Sequence, residues 1–184
     1  MGPPVATGGR TPRQAGRPGG LRPTSGRVRT AVGNALAPRL AGAEVLDLFA
    51  GTGGLGMEAL RRGARHVVFV ERDPRRVRAL RGELEREGLR ERAEVRRGNV
   101  FAEVPALGAE GRRFDVILLD PPYGQGLLAR CLGLLAATRL LAPGGVIVAE
   151  GHWRDDPGEI PGLRRVRTAR YGETALWFYG EEGA

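Results

Sequence analysis

Cysteine and histidine are scarce in this chain of 184 residues, and lysine is absent. A single cysteine, Cys131, excludes an internal disulfide framework, and two histidines beside one cysteine argue against a structural zinc site. No apolar run is long enough to span a bilayer, and the first residues lack the apolar core of a signal peptide. The sequence therefore predicts a cytoplasmic protein without a resident metal or a membrane partner.

The net charge of +8 is distributed unevenly along the chain. The first 40 residues contain seven arginines and no acidic residue, so they carry +7 of that charge. Residues 1–20 are dense in Gly, Pro and Arg, a composition that favours a flexible tail over a packed segment. A basic segment next to a nearly neutral domain indicates electrostatic binding to a polyanion such as RNA. The alternative is that the tail takes no part in binding.

The length allows one α/β domain with a real core and hardly two. We predict this domain over residues 21–184, with a helical extension at residues 25–38 that ends or distorts at Pro38. Strand-like and helix-like segments alternate after the extension, which favours a parallel sheet covered by helices on both faces. The predicted strands cover residues 44–49, 67–71, 93–96, 114–119 and 146–150, a closing antiparallel pair covers 163–170 and 175–179, and residues 105–113 are predicted to be a loop.

The stretch Glu44–Gly56 connects an apolar strand to a turn with four glycines. Gly51, Gly53 and Gly56 match a dinucleotide-binding fingerprint, but that spacing alone is a weak signal. Asp47 precedes the turn, and a carboxylate is a poor neighbour for a pyrophosphate because like charges repel at close range. It suits a ligand that carries an ammonium and a sulfonium, as S-adenosylmethionine does.

Polar residues follow the predicted strands at the edge where parallel sheets bind ligands. Glu71 can accept hydrogen bonds from both ribose hydroxyls. Asn99 can accept from an adenine amine through its amide oxygen, although a cap on the following segment is an alternative role. Asp120 follows the strongest strand and opens the sequence Asp120-Pro121-Pro122-Tyr123.

This tetrapeptide has the chemistry needed to present an amine for methylation. The lone pair of an amine on a nucleobase is delocalised into the ring, which makes the amine a weak nucleophile. The Asp120 carboxylate and the Pro121 carbonyl could accept its two N–H groups and direct the lone pair at a methyl donor. Successive prolines fix the backbone that carries the carbonyl, and Tyr123 can stack on the base.

Together these segments resemble the RsmD-type guanine-N2 methyltransferases of small-subunit (16S) ribosomal RNA. The resemblance covers about residues 20–179 and rests on G-L-R-P-T-S-x-R-V-R, N-A-L-A-P, L-D-L-F-A-G-T-G-x-L-G, V-E-R-D, L-D-P-P-Y and Y-G-E-T. It implies a Rossmann-like class I methyltransferase with a seven-stranded, mostly parallel sheet and the seventh strand inserted antiparallel. It also implies S-adenosylmethionine as cofactor, 16S rRNA in an assembling small ribosomal subunit as partner, and a monomer.

The predicted site residues form three groups. The first, Asp120–Tyr123, is expected to be catalytic. The second is expected to bind cofactor and consists of Asp47, Phe49, Gly51, Gly53, Glu71, Arg72, Asn99 and Val100. The third is expected to bind RNA and consists of Arg22, Arg27 and Arg29.

Three other functions compete with this prediction. A DNA adenine-N6 methyltransferase shares D-P-P-Y but normally needs a target-recognition region that this chain lacks. An NAD(P)-dependent oxidoreductase gives Asp120–Tyr123 no role. A non-catalytic RNA-binding protein with a relic cofactor site is the third, because Gly26, Gly33 and Asn99 stand where family members usually have Asp, Phe and Asp.

Overall fold

The computed structural model of the chain describes residues 26–124 and 126–183. The predicted tail at residues 1–20, Arg22, and the start of the helical extension at Ser25 lie outside the described residues. Within those ranges, no helix is both long enough and apolar enough to cross a membrane. The same residues contain no group of three or more His, Cys, Asp or Glu side chains arranged to hold a metal ion.

A seven-stranded sheet forms the centre of the molecule, with strand order β3-β2-β1-β4-β5-β7-β6. The first five strands are parallel, and β7 lies between β5 and β6, antiparallel to both. The predicted fold class, including the inserted antiparallel strand, is therefore confirmed. The strands are β1 (Glu44–Leu48), β2 (His66–Glu71), β3 (Ala93–Arg97), β4 (Phe114–Leu119), β5 (Leu141–His152), β6 (Leu163–Tyr171) and β7 (Thr174–Glu181).

Among the described residues, five α-helices cover the two faces of this sheet. The first three pack on one face around Leu36, Leu60 and Leu80, and the other two pack on the opposite face around Leu107 and Leu132. Burial of both faces explains why β1, β2 and β4 read as almost continuous apolar runs. The helices are α1 (Gly26–Leu40), α2 (Gly54–Arg61), α3 (Pro74–Arg86), α4 (Val100–Ala109) and α5 (Leu127–Thr138).

The structure corrects three predicted element boundaries. Residues 105–113, expected to be a loop, include the second half of α4, because Val100, Val104 and Leu107 bury one side of a helix despite Pro105. Helix α1 continues two residues beyond Pro38 to Leu40. Strand β5 begins at Leu141 rather than Val146, and an irregularity in its pairing with β4 absorbs the Pro-Gly-Gly segment.

Candidate active site at the carboxyl edge of the sheet

The turn after β1 has the backbone conformation that its glycines suggested. Phe49, Gly51 and Gly53 all have positive φ, at 61°, 59° and 86°. A positive φ is costly for a phenylalanine, so this turn holds local strain at the edge where the parallel strands end. A Cβ on Gly53 would lie 2.3 Å from Leu80 of α3, so only glycine fits there.

Glu71 ties this turn to the end of β2. One of its carboxylate oxygens accepts a hydrogen bond from the Gly51 amide at 2.8 Å, and the other accepts from the Asp73 amide at 2.8 Å. The side chain is buried, with 5% of its surface exposed. Each carboxylate oxygen has a second lone pair, so Glu71 can hold both loops and still accept from a ligand.

Asp47 lies beneath the turn with 1% of its surface exposed, and one of its oxygens accepts from the Gly56 amide at 2.8 Å. Burial is the main reason that the pKa of its carboxyl group is raised to about 7. The hydrogen bond from Gly56 lowers this pKa, and the charges of Asp120 and Glu71 raise it further. A Cβ on Gly56 would lie 2.3 Å from Phe69 and 2.9 Å from the accepting oxygen of Asp47. The close approach of α2 to Asp47 therefore requires glycine.

A cavity of about 290 Å³ opens between the ends of β2 and β3 and the starts of α4 and α5. Its wall includes the buried side chain of Glu71 and Pro122 of the segment that follows β4. Of the predicted cofactor-binding residues, Phe49, Glu71, Arg72, Asn99 and Val100 line this cavity. The other three, Asp47, Gly51 and Gly53, do not line this cavity. The two glycines shape the turn after β1, and Asp47 lies buried beneath that turn.

Asn99 performs the alternative role considered for it, because its side-chain oxygen accepts from the Phe101 amide at 3.0 Å and caps α4. It also lines the cavity. An adenine contact by the same side chain therefore has to share that oxygen or use the amide nitrogen as a donor.

The Asp120–Tyr123 segment lies directly beside this cavity. β1 and β4 are neighbours with Leu48 paired to Leu119, and the Asp120 amide donates to the Leu48 carbonyl at 3.5 Å. Pro122 also borders a second cavity of about 260 Å³, whose wall includes Pro121, Tyr123 and Gly151. The tetrapeptide thus separates two adjoining spaces, and Asp120 is near enough to Asp47 to raise its pKa.

The predicted RNA-binding arginines are only partly within the described residues. Arg27 is exposed at the start of α1. Arg29 is half-buried and lies over the glycine turn, since a Cβ on Gly54 would be 3.5 Å from its Nη1 atom. Arg22 falls outside the described residues.

Sequence reasoning missed several residues around the two cavities. Phe101 and Arg130 both line the cavity beside Glu71, and the Arg130 guanidinium stacks on the Phe101 ring at 3.9 Å. Leu127 borders both cavities, and Asp155 borders the second. An aromatic residue just after the third strand was the available signal for Phe101, whereas Arg130 belongs to no motif and is placed by the packing of α5.

Comparison with known proteins places this geometry in a family. The family model described as "Conserved hypothetical protein 95" matches residues 10–180. Ribosomal RNA small subunit methyltransferase D of Escherichia coli strain K12 is 33% identical over 170 residues, covering 89% of this chain and 81% of that protein. The protein of the same name from Haemophilus influenzae is 37% identical over 134 residues, covering 71% of this chain and 68% of its own length.

Solved structures show the same similarity. A conserved hypothetical protein of Streptococcus pyogenes aligns with a TM-score of 0.76 at 31% identity, covering 85% of this chain and 96% of that one. The family model spans most of the chain, and the two curated relatives carry the same name as the family that the motifs resemble. The chain therefore belongs to the Conserved hypothetical protein 95 family, and its resemblance to the RsmD-type methyltransferases is confirmed.

Proposed function

We propose that this protein transfers a methyl group from S-adenosylmethionine to the exocyclic N2 amine of a guanine in small-subunit ribosomal RNA. The single observation that carries the proposal is the position of Asp120–Tyr123 against the cavity that contains Glu71, with the buried Asp47 behind it. The names of the curated relatives support the RNA substrate. We further propose that the substrate is an assembling small subunit and that the enzyme acts as a monomer.

The charges of the site fit a cationic adenosyl ligand. Burial is the main cause of the raised pKa of Asp47, and the nearby charges of Asp120 and Glu71 raise it further. A sulfonium or ammonium nearby would relieve this repulsion, whereas a pyrophosphate would increase it. Three arginines also border the cavity. Arg72 and Arg130 are exposed, so solvent screens their charge more than that of the buried acids. Arg76 is half-buried, and its charge adds to the backbone hydrogen bonds that lower the pKa of Asp73 on the same wall.

Most of the cofactor contacts follow from the turn and the cavity wall. Glu71 would accept hydrogen bonds from the ribose hydroxyls with the lone pairs that the Gly51 and Asp73 amides leave available. Phe49, Arg72, Asn99 and Val100 line the cavity and would surround the rest of the nucleoside. Bound S-adenosylmethionine supplies an electrophilic methyl group on a sulfonium.

The chain's own contribution to the reaction is mainly the orientation of the guanine. Pro121 and Pro122 hold the backbone so that the Pro121 carbonyl and the Asp120 carboxylate accept the two N–H groups of N2. The lone pair of the nitrogen is then directed at the methyl group. Asp120 or a nearby water receives the proton that the nitrogen loses after the transfer.

The variant Asp120→Ala tests this division of labour. Because Asp120 is outside the wall of the cofactor cavity, and Asp47 and Glu71 remain to face the cationic ligand, we expect the Kd for S-adenosylmethionine, measured by calorimetry, to change by less than about threefold. Loss of an orienting group at the reacting atom should lower kcat by roughly 100-fold or more. Unchanged turnover in Asp120→Ala would remove Asp120 from the reaction, and equal loss of cofactor binding would make it a structural residue.

A further inference from the structure

A strip of aromatic and arginine side chains extends from Tyr123 toward the turn between β6 and β7. The Tyr123 ring meets the His152 ring edge-on with 6.3 Å between centroids, and the His152 ring is 6.0 Å from that of Trp153. The guanidinium groups of Arg154 and Arg170 lie 5.0 Å and 4.2 Å from the centre of the Trp153 ring. These five residues, called here the Tyr123–Arg170 strip, give one continuous surface that starts at the proposed catalytic tetrapeptide.

Local hydrogen bonds hold the strip in place. The Trp153 amide donates to the Glu173 carbonyl at 2.9 Å, which fastens the end of β5 to the turn before β7. His152 Nδ1 accepts from the Arg154 amide at 3.2 Å, and Arg170 Nε donates to the Gly172 carbonyl at 2.8 Å. The strip is thus built from three segments that the sheet brings together, and not from one mobile loop.

The strip is solvent-exposed, which the packing of the domain does not require. Tyr123 is 41% exposed and Trp153 is 36% exposed, whereas the other tryptophan, Trp177, is 1% exposed in the core. Large aromatic side chains kept at the surface beside cations are typical of surfaces that bind another molecule.

The strip itself carries two exposed arginines, Arg154 and Arg170. Arg167 of β6 instead lies over Phe178, on the other face of the sheet. The acids next to the strip are Asp155, Asp156 and Glu173. Asp156 is paired with Arg165, and Asp155 accepts from the Gly124 amide at 3.1 Å, which leaves Glu173 as the adjacent acid without such a bond among those described.

We infer that the Tyr123–Arg170 strip binds the unpaired nucleotides adjoining the target guanine, by stacking on Trp153 and by contacts of Arg154 and Arg170 with phosphates. Alternating rings and guanidinium groups are the chemistry that proteins use for single-stranded nucleic acid. The target base has to leave its helix or loop to reach Asp120, so its neighbours are exposed beside Tyr123. This inference rests on the proposed RNA substrate and extends it to the flanking nucleotides.

The test compares Trp153→Ala, Trp153→Phe and Arg170→Gln with the matched control Arg113→Gln. Arg113 is exposed and precedes the central strand β4 at the amino ends of the parallel strands, whereas Trp153 follows β5 at their carboxyl ends. Methyl transfer to small ribosomal subunits, and in parallel to a small-subunit rRNA fragment, gives KM and kcat. Calorimetry gives the cofactor Kd, and tryptophan fluorescence is followed during titration with single-stranded RNA. Thermal unfolding of each variant verifies that it is folded.

We expect Trp153→Ala to raise the KM for RNA about tenfold, because stacking on one aromatic side chain has effects of this size. In Trp153→Ala, the cofactor Kd and the kcat at saturating RNA should stay within about twofold of wild type. Trp153→Phe should restore most of the affinity for RNA, and Arg113→Gln should behave as wild type. RNA should quench the fluorescence of wild type and leave that of Trp153→Ala unchanged, since Trp177 is buried.

Each remaining outcome has a defined meaning. Intact methyl transfer with equal KM in Trp153→Ala, Arg170→Gln and Arg113→Gln would overturn the inference. Losses seen with whole subunits but not with naked RNA would also overturn it and assign the strip to a protein partner. Quenching of Trp153 by RNA, with no methyl transfer by the wild type to either subunits or the rRNA fragment, would contradict the proposed reaction and support the strip.

Discussion

The two halves of the carboxyl edge differ in how completely the chain itself builds them. At β1 and β2, Glu71 holds two backbone amides and Asp47 holds a third, so the turn is fixed before any ligand binds. At β4 and β5, Tyr123 is 41% exposed and borders an open cavity. The comparison indicates that the half proposed to bind cofactor is fixed by its own hydrogen bonds, whereas the half proposed to bind RNA is open.

The largest expected effect comes from removing the acid that holds the preorganised half. Glu71→Ala deletes the acceptor of the Gly51 and Asp73 amides and of the proposed ribose hydroxyls. The two proposed hydrogen bonds from the ribose hydroxyls to the carboxylate are together worth about 3–6 kcal/mol of binding free energy. We therefore expect the cofactor Kd to rise roughly 1000-fold. Calorimetry measures this Kd. Glu71→Gln should give an intermediate Kd, and Glu91→Gln, at an exposed position, should leave the Kd unchanged. Tight cofactor binding by Glu71→Ala would contradict the comparison.

The second prediction concerns pH and the carboxyl group of Asp47. Its pKa is about 7 in the folded protein against 3.8 for an ordinary Asp, so the folded state binds the proton more tightly than the unfolded chain does. Stability from this group is complete below pH 3.8 and is lost as the pH rises through 7, by at most about 4 kcal/mol. Asp47→Asn should therefore become more stable than wild type between these values, as denaturant unfolding at several pH values would show. A difference in the free energy of unfolding between Asp47→Asn and wild type that does not change with pH would contradict this prediction.

The third prediction uses two glycines as a matched pair. A Cβ on Gly56 would meet Phe69 and Asp47, whereas a Cβ on the exposed helical Gly82 meets nothing within 4 Å. Gly56→Ala should destabilise the protein by about 3 kcal/mol through overpacking, and Gly82→Ala should stabilise it by roughly 0.5–1 kcal/mol. Thermal and denaturant unfolding compare the two, and equal effects would show that α2 does not need its close approach to Asp47.

The smallest expected effect is in the open half. Tyr123→Ala removes a ring that we expect to stack on the target base, so the KM for RNA should rise about tenfold while the cofactor Kd is unchanged. Tyr123→Phe keeps the ring and should be near wild type in steady-state kinetics. A cofactor Kd that rises with the RNA KM would mean that the two halves do not act separately.

The sequence predicts the fold well where local patterns and packing agree. Asp73 followed by Pro74 predicts the start of α3, and its side chain accepts from the Arg75 and Arg76 amides as a cap should. The run Phe114–Leu119 predicts β4 with both of its ends. Helix α4 was missed because Pro105 signals a break, whereas the burial of Val104 and Leu107 outweighs the lost hydrogen bond.

Contacts between distant segments were not predictable from the residues alone. The Arg130 guanidinium reaches Phe101 only because α5 packs beside α4. The space beside Gly33 is filled by Arg62 of the turn after α2, since a Cβ on Gly33 would lie 2.6 Å from Arg62 Nε. That contact explains how the domain accommodates glycine at a buried position of α1.

The most direct test of the account is the identity of the methylated nucleoside. The protein is incubated with small ribosomal subunits and with isotopically labelled S-adenosylmethionine, and the RNA is digested and separated by mass spectrometry. We expect wild type to place the label on N2-methylguanosine in small-subunit rRNA. Asp120→Ala should form roughly 100-fold less of this labelled nucleoside. Label on another base, on DNA adenine, or on no nucleic acid would contradict it.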